Sequence, residues 1–460
     1  MKHYDAIVIG AGQAGSPLCR KLANAGKKTL MIEKRWIGGT CVNDGCTPTK
    51  AMVASAKAAY MAKHSDDLGV HIDGFHVNMK QVKKRKDEIV MQSRSGGQKA
   101  IETTENLDLL FGEASFTGPK TIKVKRNDGG EEEVQADLIF LDAGATPMIP
   151  DIEGLKDIDY LTSTSILDLE EVPEHILIIG GNYVALEFAQ MFHRFGSKIS
   201  VLERGERIMA KEDEDISDEL KKILVEEGLD IYTEAQVHKF EKTATGIKAS
   251  AVIAGEKKEF TCSHVLLAAG RKPLTEALNL DKTGVELNEK GFIKVNDKLE
   301  TNVPGIYALG DVNGGPAFTH IAYNDYTIVY RNLVEGTNYN TTDRPLPYCM
   351  FTDPQLGRVG LTEKQAREQG YAIKIATLPM KHVARAIEVG DTRGMMKAVV
   401  DVKTKEVLGV AILGAEGGEI MSVMQMAIEG GITYDRIRYC VFAHPTYSES
   451  LNNLFLKIEE

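Results

Sequence analysis

The chain reads as an α/β protein in which one strand–turn–helix unit occurs twice. Three observations predict it. The apolar run Asp5 to Ile9 enters a turn carrying Gly10, Gly12 and Gly15, and a helix pattern from Pro17 to Ala25 follows. A second apolar run, Thr29 to Ile32, ends on the acid Glu33. The layout then returns from His175 at a constant offset of 170 residues: Gly10 to Gly180 (180 − 10), Gly26 to Gly196 (196 − 26) and Glu33 to Glu203 (203 − 33). A glycine turn between strand and helix lets backbone N–H groups approach a pyrophosphate, and an acid ending the next strand accepts from a ribose hydroxyl. Two Rossmann-like dinucleotide-binding domains are expected.

The second copy departs from the first at two positions. Asn182 and Ala185 stand where its second and third glycines would be, after Gly180 and Gly181. Alanine suits the third position, which serves helix–strand packing. Asn182 is a departure from the motif.

Shortly after Glu33 in the first copy comes GGTCVNDGCTPTK, residues 38–50. Its cysteines, Cys41 and Cys46, precede an Ala-, Met- and Lys-rich run from Ala51 to Ala62 that is a strong helix former. Thr47 is the expected N-cap and Pro48 the first helical residue, so Cys46 meets the positive end of a helix dipole, where a thiolate is favoured. Five residues of regular helix rise about 7.5 Å, more than a disulfide spans, and Gly45 lets the backbone depart from that path. A labile, re-formable disulfide is the functional reading. A structural zinc site or two inert thiols are the alternatives. Cys19, Cys262, Cys349 and Cys440 offer no second close cysteine pair, although Cys440 and His444 are four apart. No metal site is expected.

A formal charge of −11 argues against nucleic acid or an anionic membrane as a main partner, and no apolar run is long enough to span a bilayer. The N-terminus enters a strand at once without a signal-peptide layout, and a close cysteine pair suits catalysis in a reducing compartment, so a cytoplasmic location is expected. The basic run KQVKKRK (80–86) reads as a solvated helix face, and residues 127–130 as a turn.

The segment GGTCVNDGCTPTK resembles the redox-active segment of the FAD-dependent pyridine nucleotide–disulfide oxidoreductases. The likeness continues through FLDAGATPMIP (140–150), LLAAGRKP (266–273), TNVPGIYALGD (301–311), PAFTHIA (316–322), PYCMFTDPQLGRVGLTE (347–363) and HPTYSE (444–449). It implies an FAD-binding domain in two parts, 1–150 and 273–340, an NAD(P)-binding domain, 151–272, and a C-terminal α+β dimerisation domain, 341–460. The cofactor-binding positions it implies are Gly10, Gly12, Gly15, Glu33, Gly39, Thr40, Lys50, Ala143, Gly144, Gly270, Asp311 and Thr319 in the FAD parts, and Gly180, Gly181, Tyr183 and Glu203 in the nicotinamide part. Cys46 would be the flavin-side thiol and Cys41 the outer, interchange thiol, with His444 its base and Glu449 orienting the imidazole. Lys50 would approach the flavin with Glu187 as its acidic partner, and Tyr183 would cover the nicotinamide pocket. A homodimer with shared active sites follows from the same resemblance.

Glu203 favours the 2′-hydroxyl of NADH over a 2′-phosphate, while Arg204 and Arg207 nearby leave NADPH as the alternative. GAGQAGSPL and FTDPQLGRVG resemble the mercuric-reductase-like branch of the family. DVNGGPAFTHIAYNDY, DTRGMMKAVVD and HPTYSESLNNLF resemble its reactive-chlorine-induced copper(II) reductases. The cysteine-free C-terminus LFLKIEE and the retained His444 speak against mercury as the substrate. The expected activity is an NAD(P)H-dependent flavoprotein that passes electrons through a Cys41–Cys46 disulfide to a small disulfide or a thiol-bound metal ion, Cu(II)- or Hg(II)-like. Dihydrolipoamide dehydrogenase is the alternative enzyme. A non-catalytic complex subunit or a thiol metal carrier is the alternative of another class.

Overall fold

The computed structural model describes residues 1–458; Glu459 and Glu460, which end the cysteine-free terminus, lie outside the described residues. The chain divides into two compact units, one of Met1–Ala51, Lys83–Met148 and Gly270–Arg344, the other of Met52–Val82, Ile149–Ala269 and Pro345–Glu460. Residues 52–82, expected within the first segment, thus cluster with the second unit. The reason is packing. Met52, Ala56 and Met79 share a core with Ile166, Phe188 and Phe192. The Arg194 guanidinium lies 3.9 Å over the Tyr60 ring, and Lys57 pairs with Asp353 at 3.6 Å.

In the first unit Lys2–Ile9 pairs in parallel with Thr29–Glu33 on one side and Glu131–Leu141 on the other. Leu107–Gly118 and Ile306–Ala308 extend the parallel sheet at either edge. Alternate residues of the central strand serve opposite faces. Ala6 and Val8 pack with Leu18 and Leu22 of the helix Gly15–Asn24, while Ile7 and Ile9 pack with Leu280 and Ile293. Burial on both faces is why these strands read as continuous apolar runs. The far parts of Leu107–Gly118 and Glu131–Leu141 leave this sheet to flank Thr121–Arg126 in antiparallel pairs, with the expected turn closing at Gly129 and Gly130. The basic run lies in the helix Met79–Glu102 but is not wholly solvated. Lys86 is buried and pairs with Asp87 at 2.6 Å, because four-residue spacing puts it on the face of buried Val90.

The second unit repeats the plan. Its five parallel strands run in the order Asp230–Tyr232, Lys198–Leu202, His175–Ile179, His264–Leu267, Tyr160–Thr162. A three-stranded antiparallel sheet, Ala235–Thr243 to Glu256–Cys262, accompanies them. The C-terminal part is α+β: an antiparallel five-stranded sheet with the helices Gly417–Glu429 and Ser450–Leu456 sharing its core. Buried ion pairs tie it to the dinucleotide part, with Arg358 donating to Glu212 and Asp213 at 2.7 Å each. The architecture is two Rossmann-like domains plus a C-terminal α+β domain.

Candidate active site

The two glycine turns are built alike. Gly10 has φ +101° and Gly180 φ +113°. A Cβ would lie 2.2 Å from the Asp142 carbonyl oxygen at the first and 2.5 Å from the Ala268 carbonyl oxygen at the second, so only glycine fits. Glu33 accepts the N–H groups of Ala11 at 2.8 Å and Arg35 at 2.7 Å. Glu203 accepts those of Gly181 at 2.6 Å and Gly205 at 2.7 Å, the same two bonds 170 residues on (181 − 11, 205 − 35). Each carboxylate oxygen keeps a lone pair with which to accept from a ribose hydroxyl. The acids therefore brace the turns as well as standing beside them.

Asn182 finds its explanation here. At the matching Gly12, a Cβ would stand 2.6 Å from Asp142 Oδ2. In the second copy the carbonyl beneath the first glycine belongs to Ala268, where the first copy has Asp142. Asn182 instead caps the helix Tyr183–Phe195, its side chain accepting the Tyr183 N–H at 2.9 Å. Ala185 is fully buried at the packing position.

The redox segment lies directly on the first turn. Gly38 N–H donates to the Ala11 carbonyl at 2.8 Å, and a Cβ on Gly39 would come within 2.7 Å of Gly12 Cα. Cys41 and Thr40 belong to a short helix, Gly39–Asn43. Cys46 is the first residue of the helix Cys46–Lys63. That helix starts earlier than expected. Gly45 O already accepts the Thr49 N–H at 3.0 Å, so Thr47 lies within the first turn rather than at the cap. Pro48 also falls in this first turn, where its missing N–H leaves nothing unsatisfied.

Both cysteines are free thiols, Cys41 half-buried and Cys46 exposed. A hydrogen bond to Cys46, burial and the charge of Cys46 hold the Cys41 pKa far above its ordinary value, against the opposing pull of Thr319 and Lys50. Cys46 stands at the helix N-terminus, where negative charge is favoured. Thr319, which opens the helix Thr319–Val334, places its Oγ1 3.3 Å from Cys46 Sγ. Lys50 follows Cys46 by one helical turn.

Ala143 and Gly144 leave the strand Glu131–Leu141, and Gly144 takes φ +73°. Gly270 accepts the Met148 N–H at 2.9 Å where the chain re-enters the first unit. Asp311 lies in the turn Gly310–Asn313, 3.6 Å from Arg271 Nε. In the second unit Glu187 is buried and accepts the Phe351 N–H at 2.8 Å, and Tyr183 begins its helix. His444 is exposed, with Nδ1 at 2.9 Å from Glu449 Oε2. Among the described residues no group of three or more His, Cys, Asp or Glu is placed to hold a metal ion, and no helix is long and apolar enough to cross a membrane.

Comparison with known proteins decides the family. The model described as pyridine nucleotide-disulphide oxidoreductase matches residues 4–325, and that of the family's dimerisation domain matches residues 346–455. The chain belongs to the pyridine nucleotide-disulphide oxidoreductases. It is 36% identical over 459 residues to the probable pyridine nucleotide-disulfide oxidoreductase RclA of Escherichia coli (strain K12), covering 99% of each chain. A mercuric reductase of Bacillus cereus is 33% identical over 457 residues, covering 99% of this chain and 72% of the relative. A dihydrolipoyl dehydrogenase of Thermus scotoductus is 34% identical over 455 residues, covering 98% and 96%. Among solved structures, the Cu(II) complex of the HOCl-induced flavoprotein disulfide reductase RclA from Escherichia coli superposes with a TM-score of 0.90 at 36% identity, covering 99% of each chain. This oxidoreductase is an enzyme dependent on FAD and NAD(P)H, a flavoprotein disulfide reductase of the RclA and mercuric reductase type. Its dimerisation domain supports a homodimer.

The oxidoreductase also carries groups that sequence reasoning missed. Asp142 lies beneath the first glycine turn, its Oδ2 accepting the Gly15 N–H at 2.7 Å. Burial first, then Asp311, Asp325 and Glu33, push its pKa well above the ordinary carboxylate range. Asp325 accepts the Gly310 N–H at 2.8 Å and pairs with Arg344 at 2.5 Å; burial raises it and Asp311 as well. The one available signal for Asp142 was an acid directly after the apolar run Leu138 to Leu141. The cradle of Gly10, Gly12 and Gly39, which leaves no room for a Cβ, fits close backbone approach by the FAD pyrophosphate.

Proposed function

We propose that this oxidoreductase uses NADH to reduce a Cys41–Cys46 disulfide, and that the resulting dithiol reduces a thiol-bound metal ion of the Cu(II) kind or a small disulfide. The observation that carries the reading is Cys46 at a helix N-terminus, in contact with Cys41 and Thr319, on a segment seated against the first glycine turn. Gly10, Gly12, Gly15, Glu33, Gly39, Thr40, Ala143, Gly144, Gly270, Asp311 and Thr319 hold FAD in this reading, within a domain formed from 1–150 and 273–340. Gly180, Gly181, Tyr183 and Glu203 hold the nicotinamide nucleotide within 151–272. FAD held by these residues would supply two-electron chemistry between nicotinamide and sulfur, splitting one difficult transfer into two.

The chain's own residues manage charge and protons. NADH, H⁺ and the disulfide give NAD⁺ and two thiols, and the helix N-terminus stabilises the charge on Cys46. Lys50 supports the cofactor side, and Glu187 supplies an acid from the nicotinamide part. Cys41 keeps its proton strongly, so the outer thiol needs a base before it attacks. His444 serves as that base. Glu449 at Nδ1 directs Nε2 toward proton transfer, and the site is shared between chains of the homodimer. Two Cu(II) ions reduced to Cu(I), or one substrate disulfide reduced to two thiols, return the pair to its disulfide. A cytoplasmic place suits a dithiol of this kind.

The likeness to RclA, whose solved structure includes a Cu(II) complex, supports copper. The likeness to dihydrolipoyl dehydrogenases supports the second reading. Steady-state turnover of the holoenzyme with NADH and Cu(II), Hg(II) or glutathione disulfide, and with dihydrolipoamide and NAD⁺, decides between them. Cu(II) is expected to lead. Dihydrolipoamide oxidation far above every metal rate would reverse the assignment.

A further inference from the structure

The two cysteines meet because the backbone between them is not one helix. The short helix Gly39–Asn43 ends, Asp44 and Gly45 intervene, and a new helix starts at Cys46. Something must hold that break. Asn43 is buried, and its amide makes three hydrogen bonds. Nδ2 donates to the carbonyls of Ile37 at 3.1 Å and Gly39 at 2.8 Å, bracing both ends of the segment that carries Cys41. Oδ1 accepts from Arg94 Nε at 2.7 Å.

Arg94 comes from the helix Met79–Glu102, 51 residues away along the chain. Its guanidinium stacks 3.9 Å over the ring of Trp36, whose ring also takes the Arg35 guanidinium at 4.3 Å. Arg35 in turn pairs with Asp44, inside the break itself. One turn after Arg94, Gly97 lets the helix close on Ile37, since a Cβ there would already lie 3.3 Å from Ile37 Cγ2. A planar guanidinium can stack on Trp36 and donate in-plane to Asn43 at once; a lysine ammonium cannot.

We propose that Arg94 is a positioning residue for the redox pair: acting through Asn43, it holds the helix break that brings Cys41 to Cys46 and thereby favours the disulfide over the dithiol. The inference rests on Cys41 and Cys46 being the redox pair. Loss of Arg94 leaves Asn43 Oδ1 buried without its charged donor, and the loop relieves this by moving. The cysteine held by that loop then spends less time within bonding reach of Cys46. The physical consequence is a lower effective concentration of one thiol at the other.

The test equilibrates FAD-loaded wild type, Arg94→Lys, Arg94→Met, Asn43→Ala and the double variant Arg94→Met/Asn43→Ala in dithiothreitol redox buffers. Acid quenching, alkylation and mass analysis then measure the dithiol fraction of the 41–46 pair. Both Arg94 variants are expected to shift the equilibrium constant toward the dithiol by threefold or more, and the double variant to shift it no further than Asn43→Ala. Equilibrium constants within threefold of wild type in Arg94→Lys and in whichever other variants fold overturn the inference, even if their melting temperatures fall. Additive shifts in the double variant overturn it as well, since Arg94 would then not act through Asn43. A wild-type pair that forms no disulfide in any buffer would instead defeat the functional reading itself.

Discussion

Asp142 Oδ2 accepts the Gly15 N–H at 2.7 Å and occupies the space a side chain at Gly12 would need. The carboxyl is buried with acidic neighbours at Glu33, Asp311 and Asp325, which is why its pKa stands above the ordinary 3.8. Below that ordinary value the folded and unfolded states both hold the proton. As pH rises from there through the folded pKa, only the unfolded state releases it, so Asp142 lowers stability with rising pH. Asp142→Asn keeps the acceptor for Gly15 and removes the titration. Thermal unfolding of both proteins from pH 4 to pH 8 is expected to show the variant melting a few degrees higher at neutral pH, with the gap closing toward pH 4. A constant gap would mean that Asp142 is charged in the folded protein throughout.

Charge on the redox pair is expected to sit at Cys46. Two-electron reduction of the holoenzyme should therefore produce long-wavelength absorption from a thiolate beside the flavin. Cys46→Ser should abolish it, whereas Cys41→Ser should show it with no reductant added. Identical spectra in all three proteins would remove both cysteines from the cofactor.

Glu203 sets the choice of nicotinamide. NADH is expected to exceed NADPH in kcat/KM, and Glu203→Ala to narrow the ratio by about tenfold, the effect of about 1.4 kcal/mol of lost discrimination. Arg207 is poorly placed to rescue a 2′-phosphate because it already pairs with Glu214 at 3.3 Å and Asp218 at 3.2 Å. A wild-type preference for NADPH would contradict this and direct attention to Arg204.

His444 lies in the dimerisation domain and Cys41 in the first unit, which makes the shared site testable by subunit exchange. Cys46→Ser subunits keep His444, and His444→Ala subunits keep both cysteines. Each homodimer should be nearly inactive. In a mixed dimer one shared site carries both defects and the other is intact, so activity should return to a level set by the heterodimer fraction. Verified exchange with no recovered turnover would place every site within one chain.

The glycine turns, the 170-residue repeat and the acids Glu33 and Glu203 were legible in the sequence because each answers a local demand. A backbone that turns at positive φ under a neighbouring carbonyl admits only glycine, and a strand buried on both faces must be apolar throughout. The start of a helix beside Cys46 was legible for the same reason, to within two residues. What tertiary structure alone decided are pairings set by which strands and helices become neighbours. Asp142 reaches Gly15 across 127 residues, Arg94 reaches Asn43 across 51, and Thr319 meets Cys46 across 273. No short-range period encodes those contacts. Asn182 reads as a defect in a motif until the structure shows its side chain capping the helix Tyr183–Phe195. Residues 52–82 join the second unit for a like reason, because the partners of Met52, Lys57 and Tyr60 lie more than a hundred residues further along the chain.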